Sequence, residues 1–274
     1  MKKQKLVSFL IHLCLIFMVM MTIAPFVWML LSSFKTNAEI NAIHPTLWPQ
    51  NFTFDNYLKV QTQFHFMRYF ANSLFVTVLI TVLVGYTSTL GGFVLEKGRF
   101  RGRKLVFGLV LGTMMIPWFV TIIPKYSLML KIGWIDMYSA LVIPAAVSGF
   151  GIFMMKQSLT SLPDAMLQAA RIDGASEWYV LHRIVFPMSR NAIASIVIFQ
   201  FLWSWEDYLW PFLVMNSEGK QVLAVGLRLF NGRYSTDYGG LFAATAISII
   251  PVVLIYIIFQ KQFIDGLSSS SVKG

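Results

Sequence analysis

Two carboxylates stand side by side in a stretch that is otherwise apolar and aromatic: Glu206 and Asp207, within WSWEDYLWP at residues 203–211. An acid placed in an apolar run is costly and is a candidate for binding or proton-linked work. Residues three or four apart share a helix face, so Trp203 and Trp210 fall with Glu206 or Asp207. Such rings can stack on the apolar faces of a sugar, or anchor a helix at the outer edge of a membrane. With that face turned inward, Trp203, Glu206, Asp207 and Trp210 are the candidate substrate contacts. The remaining reactive residues are scattered. His12, His44, His65 and His182 lack the spacing of metal ligands, so no metal site is expected. Cys14, the single cysteine, excludes a disulfide framework. Gly219-Lys220 falls short of the phosphate loop G-x-x-x-x-G-K-[ST], so no nucleotide site is expected on this chain. No catalytic cluster gathers at one membrane depth, and neither an enzyme active site nor a cofactor is expected.

A different kind of signal lies in residues 162–187, LPDAMLQAARIDGASEWYVLHRIVFP, a polar, helix-prone insert between long apolar runs. Ser161 and Asp164 read as a capping box, with Pro163 tolerated in the first turn. Leu162, Ala165, Ala169 and Ile172 fall on one face of a short helix. Ala165, Ala169 and Ala170 are small enough for another backbone to approach closely. Gly174 can take the left-handed conformation that ends a helix. Asp173 or Ser176 can then cap a second helix, with Trp178, Leu181 and Val185 on one face until Pro187 stops it. The expectation is a helix-turn-helix that projects from a membrane and docks into a groove.

The elements that must carry these segments follow from composition. Hydrophobic residues make up 57% of the chain and charged ones 12%, far from globular usage. Six apolar runs approach the ~20 residues needed to cross hydrocarbon: 6–31, 74–95, 105–123, 138–155, 192–214 and 241–259. They are continuous rather than alternating, which excludes a transmembrane barrel. The fold class is all-α, a polytopic transmembrane helical bundle of six helices forming one domain over 1–274. The first run is too long for the core of a cleaved leader and is read as a membrane helix. With the N-terminus in the cytoplasm, fourteen of the 22 Lys and Arg fall on the inside. Both termini and the 156–190 loop are then cytoplasmic. The net charge of +10 sits at membrane edges, as in KGRFRGRK (97–104), where it suits anionic lipid headgroups rather than nucleic acid.

The spacing Gln168-Ala169-Ala170, two residues, Asp173-Gly174-Ala175, eight residues, Ile184 and Pro187 resembles the EAA loop of ATP-binding cassette importer permeases. The likeness extends to Ser33-Phe34-Lys35, Asn72-Ser73, Pro117, Pro124, the 205–211 segment and the tail from Gln262 to Gly274, all similar to sugar-type permeases of the MalG kind. The resemblance implies a permease in a bacterial cell membrane that forms a path for a sugar or oligosaccharide. Its implied partners are cassette ATPase subunits, a second permease and an extracytoplasmic sugar-binding protein. Gln168, Ala169, Ala170, Asp173, Gly174, Ala175, Ile184 and Pro187 are by that resemblance the ATPase-coupling residues. The segment from Phe212 to Gly240 is where such a permease can reach into the binding protein. Two positions depart from the family pattern. Gln168 replaces a Glu whose carboxylate could make a charge-assisted bond, and Glu206 replaces an Asn. The alternative is an ion- or proton-coupled carrier using Glu206 and Asp207, although no inverted repeat or matched pair of broken helices accompanies them.

Overall fold

Proline and small residues decide where this chain bends and where it packs. The computed structural model describes residues 2–63, 65–230 and 236–271, with the backbone alone for 2, 3, 63 and 263–271. Residues 231–235 of the 212–240 segment, and 272–274 of the tail, lie outside the described residues. The helices include α1 (Lys2–Ser32), α2 (Phe66–Lys97), α3 (Arg103–Met115), α4 (Ile122–Lys131), α5 (Ser139–Ala145) and α6 (Gly149–Leu159). There follow α7 (Asp164–Ile172), α8 (Glu177–Met188), α9 (Arg190–Glu206), α10 (Leu209–Val214) and α11 (Tyr238–Ser271).

Four stretches are long and apolar enough to cross a membrane, and six are if each bent pair is one span. The third expected run, 105–123, is not one helix. Pro117 has no N–H and disfavours helical geometry in Ile116, whose backbone is extended at φ −83°, ψ 117°. Arg103–Met115 and Trp118–Lys131 consequently meet at 95°. The fifth run, 192–214, is also interrupted: α9 stops at Glu206, and Asp207 is extended at φ −64°, ψ 114°. The Asp207 carboxylate accepts the Trp210 N–H at 3.4 Å and helps to open α10. Pro187 does not stop its helix. A π-helical turn over Leu181–Val185 widens the spiral ahead of the proline, and the chain bends by 78° only between Met188 and Arg190.

The chain divides into two compact units. The first, Met1–Met67 with Gly226–Ile250, contains α1, which exposes apolar side chains such as Phe9, Phe17 and Met21. Here Ser33-Phe34-Lys35 forms a knot after the first helix. Asn56 donates to the carbonyls of Ser33 (2.8 Å) and Lys35 (2.7 Å), and the Phe34 ring stacks on Phe52.

The second unit, Arg68–Val225 with Pro251–Gly274, holds the core. Val84, Met155, Val180, Val185 and Val214 are fully buried there. Glycine sets the crossing of α2 over α6. A Cβ on Gly92 would lie 2.6 Å from Met155 Cγ and 2.8 Å from the Lys156 nitrogen, and one on Gly151 would strike Ser88 Oγ. Small residues let these backbones approach, as at helix crossings in membranes. The same approach brings Lys156 to within 2.8 Å of Glu96.

Candidate functional site

The turn KGRFRGRK ends α2 and starts α3. Arg103 reaches back and donates to the carbonyls of Glu96 (3.0 Å) and Gly98 (3.2 Å), a cation on orphan acceptors at a helix C-terminus. Lys97, in the last turn of α2, points the other way. Its Nζ donates to the Leu162 carbonyl at 2.6 Å and to the Asp164 carboxylate at 2.7 Å. The expected Ser161–Asp164 capping box is therefore absent. Pro163 occupies the cap position of α7 without a side-chain bond, and Ser161 Oγ donates to Ser158 O instead. The Lys97 ammonium holds the Asp164 carboxyl below its usual range.

The elbow between α7 and α8 matches the residues that suggested it. Gly174 has φ +86°, and Ser176 Oγ accepts the Tyr179 N–H at 3.2 Å to cap α8. Across the turn Arg171 makes a two-pronged bond to Glu177, at 2.7 and 3.1 Å, which raises the guanidinium pKa. Of the set expected on one face of α7, Leu162 is buried and the rest is open. Leu167 is 1% exposed and faces the core with Leu162, whereas Ala165, Ala169 and Ile172 are exposed, Ile172 at 85%. Gln168 shares that open face and Ala170 is half-buried. On α8, Leu181 and Val185 are buried but Trp178 is exposed. Asp173 and Pro187 are exposed, and Ala175 and Ile184 pack partly against the core.

Gln168 also borders a small hollow of about 100 Å³ with Lys97, Arg99, Arg103 and Arg171, balanced by Glu96 and Asp164. Such an excess of cations was not visible from the loop alone, because four of these six charges come from residues 96–103.

A separate cavity of about 180 Å³ brings three of the four aromatic and acidic candidates together: Trp203, Asp207 and Trp210. Glu206 is exposed and does not line it. Neighbours on a helix already point about 100° apart, and the extended backbone at Asp207 leaves its carboxylate accepting the Trp210 N–H. Lys125, which sequence reasoning missed, places its Nζ 3.8 Å from the centre of the Trp210 ring. Trp210 Nε1 donates to the Ala140 carbonyl at 2.9 Å and so holds its ring in place. Gln200 donates to Ser204 at 2.9 Å on another side. Thr77 also lines it; it is 1% exposed and its Oγ1 has no hydrogen-bond partner among the described residues. The hydroxyls of Ser73, Thr77 and Thr81 follow at four-residue spacing on α2, a pattern legible in the sequence once α2 is known to enter the core.

Near one end of the same unit, Asp136 binds a loop. Its carboxylate accepts from the Asn216 N–H (3.0 Å), the Ser217 N–H (2.9 Å), the Ser217 hydroxyl (2.5 Å) and Lys220 (3.1 Å). The Ser217 bonds, with help from Lys220, lower its pKa to about 2. Asn72 donates to the carbonyls of Gly219 and Gln221, and Ser73 accepts from Leu223 N–H. The Asn72-Ser73 pair thus fastens the 217–223 loop to α2.

A bundle of membrane-length helices, an elbow-shaped loop held from behind and a polar cavity between helices define a membrane transport protein. The chain belongs to the binding-protein-dependent transport system inner membrane components, whose family model matches residues 88–268. It is a membrane-spanning permease of the ATP-binding cassette importer class. The arabinooligosaccharides transport system permease protein AraQ of Halalkalibacterium halodurans is 32% identical, over 100% of this chain and 99% of that one. The diacetylchitobiose uptake system permease protein NgcG of Streptomyces coelicolor is 31% identical, over 96% and 88%. The inner membrane ABC transporter permease protein YcjP of Escherichia coli is also 31% identical, over 92% of each chain. In fold, the chain matches a chain of a bacterial ABC transporter involved in the import of the acidic polysaccharide alginate, with TM-score 0.86 over 96% of this chain and 98% of that one, at 24% identity.

Proposed function

We propose that residues 1–274 act as one transmembrane permease domain that forms part of the path for an oligosaccharide and takes its drive from ATP hydrolysed on a separate subunit. The observation that carries this reading is the elbow at Gly174. Its open face presents Ala165, Gln168, Ala169 and Ile172, while Lys97 and the Arg171–Glu177 pair fix it from behind. A small-residue face of that kind fits a groove on a cassette ATPase. In this reading the 156–190 loop and both termini are cytoplasmic, and a second permease and an extracytoplasmic sugar-binding protein complete the importer. The two sugar-uptake permeases named above support an oligosaccharide as cargo. So do the two indole rings and the hydroxyls of the 180 Å³ cavity, which can meet the apolar and polar faces of a pyranose. The separation of Glu206 from Asp207 leaves no paired acid for a carrier that works alone.

Proteoliposomes test the whole reading. The chain, purified with its ATPase and second permease and supplied with the binding protein, should take up a labelled arabino- or chito-oligosaccharide only when ATP is present. Uptake by the chain alone without ATP would overturn it. Orientation is tested with single cysteines in a Cys14→Ser background. Ser176→Cys should react with a membrane-impermeant maleimide only from the cytoplasm, and Asn216→Cys only from outside. Labelling of Ser176→Cys in sealed cells would reverse the topology. For the cavity, Thr77→Val should leave assembly unchanged, because the hydroxyl has no partner to lose among the described residues, yet lower the rate of uptake. Unchanged uptake by both Thr77→Val and Trp203→Ala would remove this cavity from the path.

A further inference from the structure

Beside the elbow lies a larger hollow, about 440 Å³, that neither cargo nor the open face of α7 uses. One wall is the end of α2, with Leu90, Phe93 and Val94; the other is α8, with Trp178 and Leu181. Trp178 and Val94 are exposed at 59% and 42%, so the apolar wall is open. The rim is different in kind. Lys97, Arg99 and Arg171 border it against the single acid Glu177. Lys97 is engaged by Asp164 and Arg171 by Glu177; among the described residues Arg99 has no hydrogen bond or close ion pair, only a longer-range attraction to Asp164. The hollow also follows the course of α2 out of its apolar run. Leu90 and Phe93 belong to the membrane-length part, and Arg99 lies just past its end.

We propose that this hollow binds one anionic phospholipid, its acyl chain along Leu90, Phe93, Val94 and Leu181 and its phosphate at Arg99. The shape of the site selects an amphiphile, because apolar wall passes into cationic rim at the level where the helix leaves hydrocarbon. The charge selects an acidic headgroup. A zwitterionic lipid brings its own cation to a rim that already carries an excess of them, whereas a phosphodiester with no such cation can accept from the Arg99 guanidinium. Basic pockets between membrane helices are suited to such headgroups. Because one wall is a membrane helix and the other is an arm of the elbow, a bound lipid would brace the elbow against the bundle. That consequence rests on the coupling reading; the binding itself does not.

Lipid retention is measured on the full chain alone, so its failure leaves ATPase docking untouched, and the reverse holds equally. The chain is released from nanodiscs of equal phosphatidylglycerol and phosphatidylcholine and examined by native mass spectrometry. One phosphatidylglycerol should be retained per chain in preference to phosphatidylcholine. Arg99→Gln should reduce that retention by about tenfold, the worth of one charge-assisted contact. Val94→Trp, which fills the hollow, should abolish it, while Lys104→Gln, outside the lining, should not. A fluorescence measurement guards against misfolding. Phosphatidylglycerol with brominated chains should quench the part of the emission that Trp178→Phe removes, and brominated phosphatidylcholine should not. Equal retention of the two lipids, or undiminished retention by Arg99→Gln, would overturn the proposal. So would loss of the bound lipid when the ATPase subunit is added, since the hollow would then be part of the docking surface.

Discussion

Lys97 Nζ lies 2.7 Å from the Asp164 carboxylate, joining the last residue of one membrane helix to the first residue of the elbow, 67 positions later in the chain. The lysine side chain is only 7% exposed and Asp164 is 71% exposed. The pair is therefore unequal, and most of its strength should come from the second bond that Lys97 gives to the Leu162 carbonyl.

Lys97→Met should consequently do more than Asp164→Asn. Losing the ammonium leaves Leu162 O without its charged donor, a cost of roughly 1–2 kcal/mol felt as faster local opening. Hydrogen exchange across 162–172 should accelerate by about tenfold in Lys97→Met and little in Asp164→Asn. Equal acceleration in the two variants would place the strength in the ion pair instead.

Gly174→Val should uncouple the protein without unfolding it. A Cβ at Gly174 meets no atom within 4 Å, so sterics with neighbours are not at issue. The cost is the positive φ of +86°, roughly 1–2 kcal/mol for an ordinary residue and more for a β-branched one. Membrane insertion should be normal while binding-protein-stimulated ATP hydrolysis falls, and Gly174→Asn should be milder than Gly174→Val. Full transport by Gly174→Val would show that the elbow tolerates another geometry.

Gln168→Glu should tighten docking to the ATPase if a basic residue faces it across the interface. Exposed pairs are worth about 0.2–1 kcal/mol, so the gain should stay under about tenfold and shrink at high salt. The hollow bordered by Arg99, Arg103 and Arg171 also offers the new carboxylate partners within its own chain. Arg99→Gln in the Gln168→Glu background should therefore increase the gain. Gln168→Lys should weaken assembly. Reduced ATPase binding by Gln168→Glu would mean that the groove opposite is acidic or apolar.

The Asp136 clasp predicts a pH window. Its folded pKa of about 2 lies below the 3.8 of the free side chain, so the clasp contributes stability above pH ~4. That contribution declines below pH ~4 and is gone once pH falls through about 2. Acid-pulse hydrogen exchange at residues 216–222 should show protection lost over that interval, and Asp136→Asn should lack the step at any pH. A step in the variant would assign the titration to another group.

Much of the elbow was legible in sequence because its determinants are local. Gly174 has to supply its own left-handed conformation, and Ser176 caps three residues ahead. What failed was anything that depended on a distant partner. Asp164 reads as half of a capping box until Lys97 arrives from another helix to claim it. The expected one-face set Leu162, Ala165, Ala169 and Ile172 is split, since Leu162 precedes Pro163 and α7 and is buried with Leu167 in the core while the other three stay exposed. Likewise Glu206 and Asp207 are adjacent in an apolar run, and the backbone break that leaves Asp207 in the cavity lining could not be read from that run. The apolar runs themselves were plain, but their length concealed the turn at Pro117.

The Arg171–Glu177 clasp and the Lys97 anchor have a consequence for speed. A loop that must order itself on meeting its partner surrenders conformational freedom during association, and binding weakens accordingly. Here the two arms are already tied, one across the turn and the other to α2, before any ATPase is present. Association can then proceed as a rigid plug entering a socket, and dissociation need not wait for refolding. Under the coupling reading, an elbow that is already tied can pass a movement of the ATPase to the bundle without first having to fold.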